Sequence, residues 1–126
     1  MPKRRVVITG LGVVTPLGEE LESFWNRLLE GHSGIKMLTR VGGIETYPVR
    51  FGGEISAADF DASKTIDHKT AKRLDPFSVY GLCAGIHAVK DSGIDFTKEN
   101  PHRAGVIVGS GIGGITTMDE EYDVLL

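Results

Sequence analysis

Four glycines within six residues, Gly109, Gly111, Gly113 and Gly114, follow the apolar run Val106-Ile107-Val108 and form the part of the chain best suited to receive a ligand or another segment. Glycine carries no Cβ, so such a loop reaches unusual φ/ψ values and lets a neighbour approach its backbone closely. Ile112 is the bulky side chain among these small residues. Gly109-x-Gly111-x-x-Gly114 also has the spacing of a dinucleotide fingerprint after a strand, but the acidic residue that would support it, roughly 20 positions on, lies past residue 126. Gly10 and Gly12 make a poorer match. Thr15 stands where the third glycine is needed, and Pro16 follows where phosphate-facing N–H donors would be wanted.

Cys83 is the one cysteine, and it lies inside an apolar helical pattern without a helix N-terminus or a cationic neighbour to activate it. The expectation is a packed thiol. His87, one turn later, is within reach for a Cys-His pair or for two ligands of a metal site, and two ligands are too few for a metal centre. His32, His68 and His102 show no ligand spacing, while Asp119, Glu120, Glu121 and Asp123 read as the solvated start of a helix. No catalytic residue, metal site or cofactor is assigned. Lys69, Lys72 and Arg73, at i, i+3 and i+4, place three positive charges on one helical face.

The elements that must hold these residues alternate between strand and helix. Residues 5–8 are a short β-branched run entering a Gly/Pro-punctuated loop. Leu21, Phe24, Trp25, Leu28 and Leu29 then trace an amphipathic helix closed by Gly31. From 33 to 59 the pattern loosens into loops, with Val49, Phe51 and Ile55 suggesting a short strand broken at Gly52-Gly53. Residues 67–73 read as one or two helical turns. Asp75-Pro76 then gives an N-cap and a proline at the first helical position of a buried helix that ends at Gly93. Residues 104–108 are predicted as a second strand, buried on both faces and parallel to the first, which makes an α/β chain.

A length of 126 residues suits one domain, and 40% hydrophobic with 25% charged residues is ordinary soluble composition. The net charge of -3 argues against a nucleic-acid binder, and no apolar stretch approaches the roughly 18 residues of a membrane span. A single cysteine cannot build an internal disulfide framework, so a cytoplasmic setting is expected. The basic, then apolar, start resembles a signal peptide only superficially, because Gly10, Gly12 and Pro16 interrupt it and no small-x-small cleavage site follows. The helical pattern at residues 119–126 has no closing signal, so the chain reads as a truncated piece.

The run from Arg4 through Val6-Val7-Ile8-Thr9-Gly10-Leu11-Gly12 to Thr15-Pro16-Leu17-Gly18 resembles the opening of β-ketoacyl-[acyl-carrier-protein] synthases. Phe24-Trp25, Gly31-His32-Ser33-Gly34-Ile35, Arg73-Leu74-Asp75-Pro76-Phe77, Asp91-Ser92-Gly93 and the Gly109–Gly114 loop continue that resemblance in order. It implies an α/β chain, residues 1–126, forming the N-terminal part of a thiolase-like fold layered α-β-α-β-α and ending before the catalytic cysteine. It further implies a decarboxylating Claisen condensation between an acyl thioester and malonyl-acyl-carrier protein in fatty acid biosynthesis, and a homodimer for the complete protein. Under the resemblance, Gly111, Ile112 and Ile115 form the gate and wall of an acyl pocket, Ile112 favouring a type II enzyme, and Lys69, Lys72 and Arg73 meet the acyl carrier protein. Cys83 and His87 match no catalytic position, so the chain alone is expected to be inactive. A polyketide ketosynthase, a noncatalytic chain-length factor and, more remotely, a dinucleotide-binding module are the alternatives.

Overall fold

The computed structural model describes residues 3–41 and 44–125. Four helices, α1 (Leu21–Leu29), α2 (His68–Ala71), α3 (Pro76–Ser92) and α4 (Ile115–Leu125), accompany two short strands, β1 (Lys36–Met37) and β2 (Phe51–Gly52). Single 3-10 turns lie at Ile44–Thr46, Ala62–Lys64 and Pro101–Arg103.

Local chemistry sets most helix ends. Asp75 caps α3 by accepting the Phe77 N–H at 3.3 Å, Pro76 occupies the first turn, and Gly93 closes the helix at φ 64°, a left-handed value that glycine adopts without a Cβ clash. At the end of α1, the His32 N–H reaches the Arg27 carbonyl at 2.9 Å and the Gly31 N–H reaches that of Leu28 at 3.1 Å. This is a Schellman closure. The predicted apolar stripe of α1 is largely uncovered, with Trp25, Leu28 and Leu29 exposed. Helix α4 begins at Ile115, so Asp119 and the acidic residues after it lie within the helix and not at its start.

Neither predicted long strand forms a ladder among the described residues. Residues 5–8 and 105–111 run without backbone hydrogen bonds to other segments, and Val6, Val106 and Ile107 are 91%, 90% and 100% exposed. The parallel pairing and two-sided burial expected of them are therefore absent. A β-branched run favours an extended backbone, but a strand also needs a second extended backbone to take its N–H and C=O groups. Here the N-terminal segment lies instead against α3, with the Leu11 N–H on Asp91 Oδ2 at 2.8 Å. A Cβ at Gly12 would meet the Ala84 carbonyl oxygen and come within 2.7 Å of the Ala88 nitrogen, so that approach requires glycine.

The region from 33 to 59 is held by polar contacts. Antiparallel β1 and β2 pair Lys36 with Gly52 and Met37 with Phe51. Beside them Asp59 Oδ2 accepts Lys36 Nζ at 2.6 Å and the Ser56 N–H at 2.8 Å. The Lys36 bond, then Ser56, lowers the Asp59 pKa to about 2. Glu54 accepts the Thr39 N–H and hydroxyl, each at 2.6 Å, and the hydroxyl bond leads the causes that lower its pKa. Phe60 packs edge-on to Tyr80 of α3, with ring centroids 5.4 Å apart. The fully hydrophobic centre is small. Among the described residues only Leu17, Val79 and Cys83 are buried apolar side chains.

Candidate functional site

Helix α2 is shorter than the sequence suggests: it carries Lys69, Lys72 is its C-cap and Arg73 follows in the turn beyond it, so the three cations do not all lie on one helical face. Asp67 caps it, accepting the Thr70 N–H at 3.0 Å and the Thr70 hydroxyl at 2.6 Å, and those bonds lower the Asp67 pKa. Lys69, Lys72 and Arg73 are all exposed, and none has an ion-pair partner among the described residues. Ala71, the last residue of α2, and Leu74 line a cavity of about 490 Å³ together with Phe60, Val79, Tyr80 and Arg40. The basic charges thus face solvent while Ala71 and Leu74 face the protein.

Two residues after Arg73, Asp75 links this region to the glycine loop. One carboxylate oxygen caps α3; the other accepts the Thr117 N–H at 2.9 Å and the Thr117 hydroxyl at 3.0 Å, across 42 residues. The Thr117 backbone bond is the largest cause of a lowered Asp75 pKa. A single carboxylate therefore caps α3 and the first turn of α4, where helix partial charge favours an anion. The Thr117 N–H, in the first turn of α4, is thus already engaged by this carboxylate.

Gly113 sits at φ 91°, and a Cβ there would lie 3.8 Å from Phe77. Gly111 has open space around it, Ile112 is 76% exposed, and Ile115, the first residue of α4, is exposed as well. An apolar groove of about 500 Å³ runs beside this loop between α3 and the extended segment, lined by Phe77, Leu82, Ile86, Val89, Val106 and Val108. Gly111, Ile112 and Ile115 do not line that groove.

Cys83 is fully buried, and desolvation, followed by the charge of Glu19, raises its thiol pKa. His87 turns to Thr65 instead, with Nε2 2.8 Å from the Thr65 hydroxyl oxygen. The neighbouring Lys64 Nζ reaches Glu19 Oε1 at 2.8 Å. The Glu19 side chain is only 5% exposed, and its other oxygen has no hydrogen-bond partner among the described residues. Sequence reasoning sees Glu19 only as an acidic residue at the front of α1, passes over Lys64 and Thr65, and sees Asp75 as the cap of one helix only. Asp75 before Pro76 is a local signal. Its bond to Thr117, and the joining of Glu19 to Lys64 over 45 residues, arise from tertiary folding and leave no local periodicity.

The path of the backbone is shared with known ketosynthases, the class to which the thiolase-like layered fold belongs. The ishigamide ketosynthase/chain length factor superposes with a TM-score of 0.77 at 27% identity, over 97% of this chain and 30% of that one. A structure described as a type II PKS acyl-carrier protein in complex with its ketosynthase bound to the hexaketide gives 0.72 at 29% identity, over 98% and 30%. The sequence pattern of the family described as Beta-ketoacyl synthase, N-terminal domain, matches residues 3–125. The chain belongs to that family. Among similar sequences are those named 3-oxoacyl-[acyl-carrier-protein] synthase 2 from Vibrio harveyi, 42% identical, and from Synechocystis, 40% identical, each aligned over all of this chain. The chain spans 30% of the length of these relatives.

Proposed function

We propose that this chain is the N-terminal segment of a condensing enzyme that elongates acyl chains by decarboxylating Claisen condensation, with residues 1–126 supplying scaffold, acyl-pocket gate and carrier-protein docking face. The observation that carries the reading is identity of 40–42%, through the whole chain, with relatives named for that synthase activity. In the proposed reaction a cysteine thiolate outside this segment takes the acyl group from one carrier protein and releases its thiol. Malonyl-carrier protein then loses carbon dioxide, and the resulting carbanion attacks the acyl-enzyme carbonyl, forming the new carbon–carbon bond and expelling the thiolate. Such chemistry needs an activated thiolate and donors for the developing oxyanion. Cys83, buried and with a raised pKa, supplies neither.

Lys69, Lys72 and Arg73 form the docking face in this reading. Three exposed cations within five residues, on α2 and the turn that follows it, suit a fast, salt-sensitive encounter with an acidic carrier protein. Gly111, Ile112 and Ile115 act as gate and wall of the acyl tunnel, the glycines leaving the loop free to move Ile112 across it. The complete protein works as a cytoplasmic homodimer.

The test is condensation by the full-length protein, with acyl-carrier protein and malonyl-carrier protein as substrates. The expected result is a β-ketoacyl product and a KM for acyl-carrier protein that rises on Lys69→Glu. Because one similar structure is described as a type II PKS complex and another as a ketosynthase/chain length factor, malonyl-carrier protein is also supplied alone. Polyketide formation from malonyl units would favour the polyketide reading, and absence of any condensation would favour the chain-length-factor reading.

A further inference from the structure

We propose that the paired contacts Glu19–Lys64 and Thr65–His87 form a two-point clamp that orients the basic helix α2, making these four side chains positioning residues for carrier-protein docking. The proposal rests on the docking reading above. Its basis is that adjacent residues of one turn grip two different elements. Lys64 Nζ reaches Glu19 Oε1 at 2.8 Å, just ahead of α1, and the Thr65 hydroxyl oxygen lies 2.8 Å from His87 Nε2 in α3. Asp67, the cap of α2, follows two residues after Thr65.

A four-residue helix is far too short to hold its own direction, so the direction of α2 is set at its flanks. On the C-terminal flank the chain enters α3 within a few residues. On the N-terminal flank the clamped turn Ala62–Lys64 is the anchor. The two partners of the ion pair are unequal: the Glu19 side chain is 5% exposed and that of Lys64 is 63% exposed. The buried carboxylate is thus the fixed member, and the lysine folds onto it. With Oε2 unpartnered among the described residues, Lys64 is the one cation paired with Glu19, and separating them would leave a desolvated carboxylate without its counter-charge. Lys64 is consequently held back from docking, although it lies only five residues before Lys69.

This arrangement makes a prediction opposite in sign to simple electrostatics. Glu19→Gln removes a negative charge and frees Lys64; if charge alone mattered, an acidic carrier protein would bind more tightly. The clamp requires weaker binding. In the full-length protein, Glu19→Gln and Thr65→Val should each raise KM for acyl-carrier protein roughly threefold to tenfold, the cost of a misoriented contact. KM and kcat with a short soluble acyl thioester and a soluble malonyl thioester, neither of which needs the docking face, should stay unchanged. The double variant Glu19→Gln with Lys64→Gln, a neutral hydrogen-bonding pair, and the hydroxyl-retaining Thr65→Ser should restore the original KM. A lower KM for Glu19→Gln would overturn the clamp, as would an equal loss with both substrates, which would mark a general loss of structure. Lys69→Glu separates the two levels: if it leaves KM unchanged, the docking reading fails and takes the clamp with it. If Lys69→Glu raises KM while Glu19→Gln lowers it, only the clamp fails.

Discussion

Cys83 shows how one side chain's surroundings decide its chemistry. Its thiol is fully buried in α3, and its pKa is raised first by desolvation and then by the Glu19 charge, so thiolate is disfavoured and access is closed. Incubating the 126-residue chain with acyl-carrier protein should leave its intact mass unchanged; stoichiometric acylation of Cys83 would contradict this placement. Asp59 behaves in the opposite sense. Its carboxyl is lowered from 3.8 to about 2 by Lys36 and Ser56, so its stabilising contribution is complete above pH 3.8 and is lost as the pH falls through about 2. In the full-length protein, Asp59→Asn should remove that part of the acid dependence of the melting temperature, and an unchanged profile between pH 4 and 2 would show that the Lys36 contact is not maintained in solution. Ile112, 76% exposed in a glycine loop, is expected to act through its size. In the full-length protein, Ile112→Phe should lower use of long acyl chains more than short ones. An overpacking cost of ~1–3 kcal/mol felt only by the longer substrate gives roughly a fivefold to hundredfold change in relative rate. Equal loss at every chain length would place Ile112 in the scaffold instead.

Among the elements, α3 carries the clearest contrast between two glycines. Gly12 faces α3 with no room for a Cβ, and relief would require backbone movement, so Gly12→Ala should destabilise the fold by roughly 1–3 kcal/mol. At Gly81, inside α3, a Cβ would find open space, with no atom of another segment within 4 Å, and Gly81→Ala should stabilise the helix by roughly 0.5–1 kcal/mol. Circular dichroism during unfolding of the full-length protein reads both changes. The legibility of the elements follows the range of the forces that make them. Asp75-Pro76 and Gly93 act over a few residues, and the ends of α3 were readable from them. Leu21, Phe24 and Leu28 marked α1 in the same way, whereas the short helical stretch read over residues 67–73 ends at Ala71 and leaves the exposed Lys72 and Arg73 outside it. Residues 105–108 read as a strand and form none, because pairing depends on a distant backbone. The second cap made by Asp75 and the grip of Lys64 on Glu19 were hidden for that same reason.

At the scale of the whole molecule, the accessible surface is 10475 Å², whereas a compact monomer of 13.6 kDa is expected to expose about 6,600 Å². The excess includes large apolar side chains on α1, on residues 6–8 and on residues 106–108. The isolated 126-residue chain is therefore expected to bind hydrophobic dyes, to associate at micromolar concentration and to melt without a sharp transition. Light scattering and calorimetry check this, and a reversible, cooperative transition in a monomeric sample would show that the segment is an autonomous domain.

The bare backbone of residues 105–111 also bears on synthesis at the ribosome. A match to an N-terminal domain places this segment early in translation for a protein as long as the relatives it resembles. At ordinary elongation speeds the remainder of such a protein takes roughly 15–60 s to emerge. For that interval Val106, Ile107 and Val108 offer free N–H and C=O groups to any passing strand edge, including the same segment on a neighbouring nascent chain. Polysome crowding should then lower the folded yield, and slower initiation or a strand-shielding chaperone should raise it, with no change in the sequence or in the stability of the finished protein.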